Sequence, residues 1–271
     1  NGVITNYYND NFYLGAANSG VFTEYFNGNI KNTSIWSKAL THQEIQDYMN
    51  CSPTGSEAGL IGYWNFEEGT GTISYDQTSN GNNGTINGAT FNSTNKSFDF
   101  DGTNDYVGLS AVLPQGQAVY TIEGYFKPDT QQTDVIFEQV QTGGGQHTRA
   151  AMMTINDGYG GFNGWSNDFH DNTPVRIGDW NYWTITVDKN AGSNQIKVYV
   201  NGILQSQGNT NNGANNLNVG TGSTNIGSRL SGVAEFFDGE IKTIKVYNRV
   251  LSAAEVKQNY WATVDPYVLS L

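Results

Sequence analysis

Apolar residues alternate with more polar ones in short runs along most of the chain after Leu60. Phe98 and Phe100, then Tyr120, Ile122 and Phe126, then Trp183, Ile185 and Val187, then Ile196, Val198 and Val200 follow this pattern. A period of two places one face of each run on a core and the other toward solvent, which predicts half-buried strands. Asn83-Gly84, Asn87-Gly88, Asp101-Gly102, Lys127-Pro128-Asp129 and Asn201-Gly202 punctuate the runs as turns. Many short strands at such spacing predict an all-β sandwich or barrel.

Helical signals are confined to two places. Thr41-His42-Gln43-Glu44 and Ser252-Ala253-Ala254-Glu255 read as capping boxes, in which the hydroxyl accepts from the N3 amide and the glutamate reaches back to the cap amide. Ile45 and Met49 in the first, and Val256 and Tyr260 in the second, then share one helix face. Each helix is expected to pack on the edge of its sandwich.

These two segments belong to a repeat. Tyr25-Phe26-Asn27-Gly28-Asn29-Ile30, with Ile35-Trp36, Leu40 and Glu44-Ile45, returns as Phe236-Phe237-Asp238-Gly239-Glu240-Ile241, with Val246-Tyr247, Leu251 and Glu255-Val256. The offset is constant from Asn27 onward (238 − 27 = 211). Solenoid periods run at roughly 20 to 50 residues, so a repeat at this distance is a whole domain. Asn1-Gly2 aligns with the Asn201-Gly202 hairpin turn, which places the first residue at a hairpin tip. The expected organisation is residues 1–50 as the last part of a preceding domain, 51–59 as a linker, 60–262 as a complete domain and 263–271 as a tail.

Composition narrows the partners. Charged residues make up 14% of the chain and the formal net charge is −12, which argues against nucleic acid and against anionic lipid, since both are bound through Lys and Arg. An acidic surface rich in amides and hydroxyls suits divalent cations, neutral glycans and a secreted protein. No apolar run reaches the roughly 18 residues of a membrane span. Cys51 is the single cysteine; it is either a free thiol or paired with a cysteine upstream of this sequence.

The segment Gly59-Leu60-Ile61-Gly62-Tyr63-Trp64-Asn65-Phe66-Glu67-Glu68-Gly69-Thr70-Gly71, followed by Asp76 and Asn80-Gly81-Asn82-Asn83-Gly84-Thr85, resembles the opening of bacterial laminin G-like (concanavalin A-like) domains. Phe98-Asp99-Phe100-Asp101-Gly102-Thr103-Asn104-Asp105-Tyr106-Val107, Trp180 to Asp188, Val200-Asn201-Gly202 and Phe237 to Arg249 continue the resemblance in order. It implies an antiparallel two-sheet jelly roll with a partial preceding copy at the N-terminus. Tandem copies of this kind occur in secreted or cell-surface bacterial proteins, and similar modules decorate phage virions. The fold hosts lectins, adhesion modules, glucanases and lyases alike; the expected role is a noncatalytic carbohydrate-binding or adhesion module whose partners are a polysaccharide or cell-surface glycan and neighbouring copies of the domain. The alternatives are a structural spacer or virion decoration without its own ligand, and a glucanase or lyase.

Candidate chemistry is limited. Glycosidases of this fold need two closely spaced carboxylates on one strand face, and no alternating Glu, Asp, Glu array is present. His42, His147 and His170 lack zinc or triad spacing, although a lyase using His147 and a tyrosine stays open. The resemblance implies a structural Ca²⁺ held by Glu68, the carbonyl of Thr70 or its neighbours, and Asp238, a mixed oxygen set that a hard cation accepts. The stretch from Gly143 to Val175 combines glycines with Arg149, Tyr159, Phe162, Trp165, Asp168, Phe169 and His170. Its aromatic faces and polar groups suit a glycan, with Trp165 as platform and Arg149, Tyr159, Asp168 and His170 around it. The bland alternative puts Phe162 and Trp165 in the core. Trp180 and Trp183 read as core residues.

Overall fold

The computed structural model describes residues 16–18, 22–25, 55–56, 59–113, 116, 119–140, 149–154, 158–164, 168–209, 219–220, 222–229 and 234–264. The Thr41 cap, the linker around Cys51 and most of the N-terminal repeat lie outside them. What is described of the N-terminal segment is one hairpin, β1 (Ala16–Asn18) with β2 (Phe22–Tyr25), forming its own two-stranded sheet.

All other strands belong to two antiparallel sheets. Chain order runs β3 (Leu60–Trp64), β4 (Ile73–Ser74), β5 (Gly84–Asn87), β6 (Thr90–Asn92), β7 (Ser97–Asp101), β8 (Tyr106–Leu109) and β9 (Val119–Pro128). It continues with β10 (Val135–Val140), β11 (Arg149–Thr154), β12 (Tyr159–Asn163), β13 (Phe169–Pro174) and β14 (Asn181–Asp188). The last strands are β15 (Ile196–Val200), β16 (Ile203–Gly208), β17 (Thr224–Ile226) and β18 (Asp238–Tyr247), and helix α1 (Ala253–Val264) follows. One sheet has the order β13-β12-β11-β10-β17-β8-β5-β4; the other has β16-β15-β14-β9-β18-β7-β6, with β3 also on β18. Neighbours far apart in sequence, such as β10 beside β17, make this the jelly-roll sandwich expected from the alternation.

The core lies between the sheets. Ile86, Val107, Leu109, Phe162 and Ile226 from the first sheet join Phe98, Phe100, Tyr120, Ile122, Phe126, Trp183, Ile185 and Val198 from the second in one buried cluster. Every alternating run named above contributes its apolar set. Phe162 is core, as the bland reading had it. Trp180 departs from expectation: it is half-buried on the outer face of the second sheet, its ring 4.7 Å from Tyr125. The parity that sends Trp183 inward sends positions 182 and 180 outward.

The Asn201-Gly202 turn joins β15 to β16 with positive φ at both residues (52° and 75°), the backbone that a two-residue hairpin requires. Asn83-Gly84 is not such a turn. Gly84 opens β5 and lies so close to Val107 that an added Cβ would come within 2.4 Å of it.

Helix α1 begins at the predicted cap: Glu255 N donates to Ser252 Oγ (3.3 Å) and Ser252 N donates to Glu255 Oε2 (2.8 Å). It does not sit on the sandwich edge but over the outer face of the second sheet, where Val256 joins Leu60, Tyr199, Tyr247 and Leu251. Beside this apolar seat is a buried polar one. Asn259 Nδ2 donates to Glu123 Oε2 (2.8 Å) and Tyr247 Oη (3.0 Å), Thr184 Oγ1 donates to Glu123 Oε1 (3.0 Å), and Lys245 Nζ reaches Thr263 Oγ1 (2.8 Å) and Tyr182 Oη (3.2 Å). Burial pushes the Glu123 carboxyl up, against the opposing pull of Lys245 and its hydrogen bonds.

Candidate functional site

The first sheet carries a polar trough on its outer face. Because Ile86, Val107 and Ile226 enter the core, the residues one position away take the opposite face. The pairing Ile73–Thr85–Gly108–Asn225–Glu138–Ala151–Asn163 then crosses seven strands, each residue the Cα partner of the next. Over β5 and β8 this face opens into a shallow depression of about 500 Å³ lined by Thr85, Asn87, Tyr106, Ser110 and Ser223, with Asn83 at one end, Gly108 and Leu109 in its floor and the fully buried Asn225 behind it. Gly108 contributes no side chain, and the Tyr106 ring lies against it, 3.3 Å from where a Cβ would stand.

Two hydrogen-bond hubs hold its walls. Asp76, buried, accepts from Tyr63 N (3.1 Å), Thr78 N (2.9 Å), Thr78 Oγ1 (2.8 Å) and Asn82 N (2.9 Å). Asn83 Oδ1 in turn accepts from Asp76 N (3.0 Å), and Asn82 ties back to β3 through Ile61 O and Trp64 Nε1. This is the structural use of the Asp76 to Asn83 motif: it fixes the connection from β4 to β5. On the other side, Gln139 Oε1 accepts from Val112 N (2.9 Å), Leu113 N (2.8 Å) and Thr224 Oγ1 (2.8 Å), while its Nε2 donates to Leu113 O (2.7 Å) and Gly220 O (3.1 Å). It fastens the segment after β8 to the start of β17.

The glycan residues expected between Gly143 and Val175 fall on β11, β12 and β13, at the far edge of this same sheet. Arg149 lies two positions before Ala151 on β11, and His170 pairs with Gly161. Tyr159 is half-buried at the start of β12. Asp168 serves the turn between β12 and β13, where its Oδ1 accepts from Gly164 N (3.0 Å). Trp165 and His147 lie outside the described residues. The trough residues Thr85, Asn87, Tyr106 and Asn225 were not singled out in the sequence. Their signal was the polar half of the alternation around Ile86, Val107 and Ile226.

The calcium residues have separate partners. Glu68 Oε1 accepts from Tyr75 N (2.7 Å), and its Oε2 is buried without a hydrogen-bond partner. Asp238 Oδ2 accepts from Thr130 Oγ1 (2.9 Å), and the Asp101-Gly102 turn packs against its side chain. Burial pushes the nearby Asp134 carboxyl up to about 7; the charge of Asp238 adds to this, while hydrogen bonds from Gln132 and the Asp238 backbone oppose it. Thr70 is exposed. The orphan oxygen of Glu68 is one carboxylate donor, against the roughly six to eight oxygens that Ca²⁺ takes. A carboxylate cage has no support, because no group of three or more His, Cys, Asp or Glu among the described residues could hold a metal.

A pair of carboxylates does occur on the outer face of the second sheet, where Asp99 is the Cα partner of Glu240. Glu240 is saturated: Lys127, Ser97, Asn92 and Asn95 all donate to it. Burial would raise its pKa, yet these donors hold it below the ordinary glutamate value; Asp99 is pushed up by partial burial and then by Glu240.

Comparison with known proteins places this architecture. The laminin G-type model of the concanavalin A-like lectin/glucanases superfamily matches residues 101–257, more than half of the chain. Among solved structures, domain 4 of an extracellular GH43 arabinanase from Geobacillus stearothermophilus, in complex with arabinotriose, is similar with a TM-score of 0.57 and 19% identity over 76% of this chain and 100% of that one. Trypanosoma rangeli sialidase in complex with sialic acid gives a TM-score of 0.55 and 12% identity over 80% of this chain and 37% of the sialidase. The receptor binding domain of botulinum neurotoxin C/D mosaic serotype gives 0.56 and 14% over 76% of this chain and 52% of that one. The chain thus spans about a third of the sialidase and half of the toxin domain, and at these identities the likeness is one of fold. No curated protein sequence matches significantly. The chain belongs to the concanavalin A-like lectin/glucanase superfamily.

Proposed function

We propose that the chain is a noncatalytic carbohydrate-binding module of a secreted or cell-surface protein, acting in adhesion or substrate targeting alongside neighbouring copies of the same domain. The observation that carries this reading is the trough of amides and hydroxyls on the outer face of the first sheet. An amide side chain offers both donor and acceptor and a hydroxyl offers either, which matches the hydroxyls of a sugar. The arabinotriose complex of a similarly folded domain supports the ligand class. The noncatalytic reading rests on the lack of an alternating Glu, Asp, Glu array in the sequence, and the donors on Glu240 give the Asp99 and Glu240 pair a structural role.

The β11 to β13 edge, with Arg149, Tyr159, Trp165, Asp168 and His170, is proposed as a second contact area on the same sheet, and Glu68 with Thr70 and Asp238 as the vicinity of a structural Ca²⁺. Affinity electrophoresis in gels containing soluble polysaccharides tests the reading. Retardation by at least one polysaccharide, relieved in a Thr85→Ala/Asn87→Ala double variant with an unchanged melting temperature, is the expected result. Mobility unaltered by every polysaccharide sinks it.

A further inference from the structure

We propose that the trough selects an uncharged oligosaccharide laid across β8, β5 and β4, and that Tyr75 is the platform on which its outer end stacks. This rests on the carbohydrate-binding reading and names the class of sugar and a further contact residue.

The case for an uncharged ligand is the chemistry of the lining. β4, β5, β8 and β17 read Ile-Ser, Gly-Thr-Ile-Asn, Tyr-Val-Gly-Leu and Thr-Asn-Ile, with no Lys, Arg, His, Asp or Glu among them. A uronate or sulfate ester seated here would lose hydration with no cation to replace it, a cost that only a paired charge offsets. The next residue in the row beyond Asn225 is a carboxylate, Glu138, fully buried. Arg149, the nearest cationic position on the sheet, is separated from β17 by β10. The formal net charge of −12 acts in the same direction at longer range.

The case for Tyr75 is its place at the open end. From Gly108 to Ile73 the row crosses two interstrand steps, roughly 10 Å at the usual strand spacing, and β4 is the sheet edge. Ile73 is 43% exposed there and Tyr75, just past β4, is 51% exposed. The backbone beneath the ring is fixed: Tyr75 N donates to Glu68 Oε1, and the following amide, Asp76 N, donates to Asn83 Oδ1 at the end of the trough. An exposed ring on a fixed backbone offers stacking area at little entropic cost.

The test is a glycan array carrying neutral oligosaccharides (arabinan, xylan, mannan and β-glucan fragments) and anionic ones (alginate, polygalacturonate, carrageenan and heparin fragments), followed by titration calorimetry of any hit. The expected result is binding confined to neutral glycans, weakened about tenfold by Tyr75→Ala with no change in melting temperature. Preference for an anionic glycan overturns this inference while leaving carbohydrate binding intact. Neutral binding that Tyr75→Ala leaves unchanged overturns the platform. Silence across the whole array overturns both this inference and the reading beneath it.

Discussion

Gln139 holds Thr224 through an Oε1 to Oγ1 hydrogen bond of 2.8 Å, deep between the sheets and directly behind the trough. The same amide satisfies two backbone N–H groups and two carbonyls, so Gln139→Ala orphans a set of buried polar atoms at once. Each costs roughly 1–3 kcal/mol when left unpaired. We expect a loss of at least ~3 kcal/mol in urea unfolding, with the slope of the transition unchanged. A loss below ~1 kcal/mol would mean that water replaces the amide.

The cap of α1 predicts an acid-sensitive component of stability. Burial opposes ionisation of Glu255, but hydrogen bonds from Arg249 and Ser252 outweigh it and hold the carboxyl below its ordinary value of 4.5. A depressed folded-state pKa contributes stability that is present above 4.5 and is lost as pH falls through the folded value. Ser252→Ala should cost about 1 kcal/mol at pH 7, and Glu255→Gln should flatten the fall in melting temperature below pH 4.5. A Glu255→Gln profile parallel to the parent's down to pH 3 would remove this carboxylate from the account.

Calcium at Glu68 or Asp238 would bind the native state alone and stabilise it by mass action. Melting in excess EDTA and in millimolar Ca²⁺ should therefore differ, and Glu68→Gln or Asp238→Ala should narrow the difference. Identical melting curves in the two buffers count against the ion.

Trp165 tests the second contact area. If the β11 to β13 edge extends the site, Trp165→Ala should weaken long oligosaccharides much more than short ones, because only a long chain reaches both the trough and that edge. A variant that unfolds instead would make Trp165 a core residue.

The alternation of Phe98 with Phe100 and of Trp183 with Ile185 and Val187 was enough to read the sandwich, because burial on one strand face is written locally. The trough was not legible in the same way. Thr85, Tyr106 and Asn225 are distant in sequence and come together only because β5, β8 and β17 are neighbours, an order set by chain crossovers that no single run encodes. Aromatic, glycine-rich stretches drew the sequence reading toward Trp165, whereas the trough is built from ordinary strand residues. The Asp76 to Asn83 motif was visible as a resemblance, but its role as a hydrogen-bond hub required the position of Tyr63. Trp180 shows the converse: parity with Trp183 would have placed it outside the core had the alternation been extended backward.

The polar seat of α1 restricts which helix the sheet will accept. Glu123 and Lys245 are buried beneath it and need the amide of Asn259 and the hydroxyl of Thr263 in register. A merely greasy groove would take any amphipathic helix of the right length, including one from a sister module in the same polypeptide. At the repeat offset the earlier segment has Tyr48 where Asn259 stands, and a phenol has only a single proton to donate where the amide gives two. A Tyr at that position could donate to Glu123 or to Tyr247 but not to both, leaving the buried polar seat short of one hydrogen bond, a loss of roughly 1–3 kcal/mol. If the earlier segment is a copy of the same domain, as the repeat suggests, this seat would favour α1 over the corresponding segment and so oppose the exchange to which tandem copies are prone.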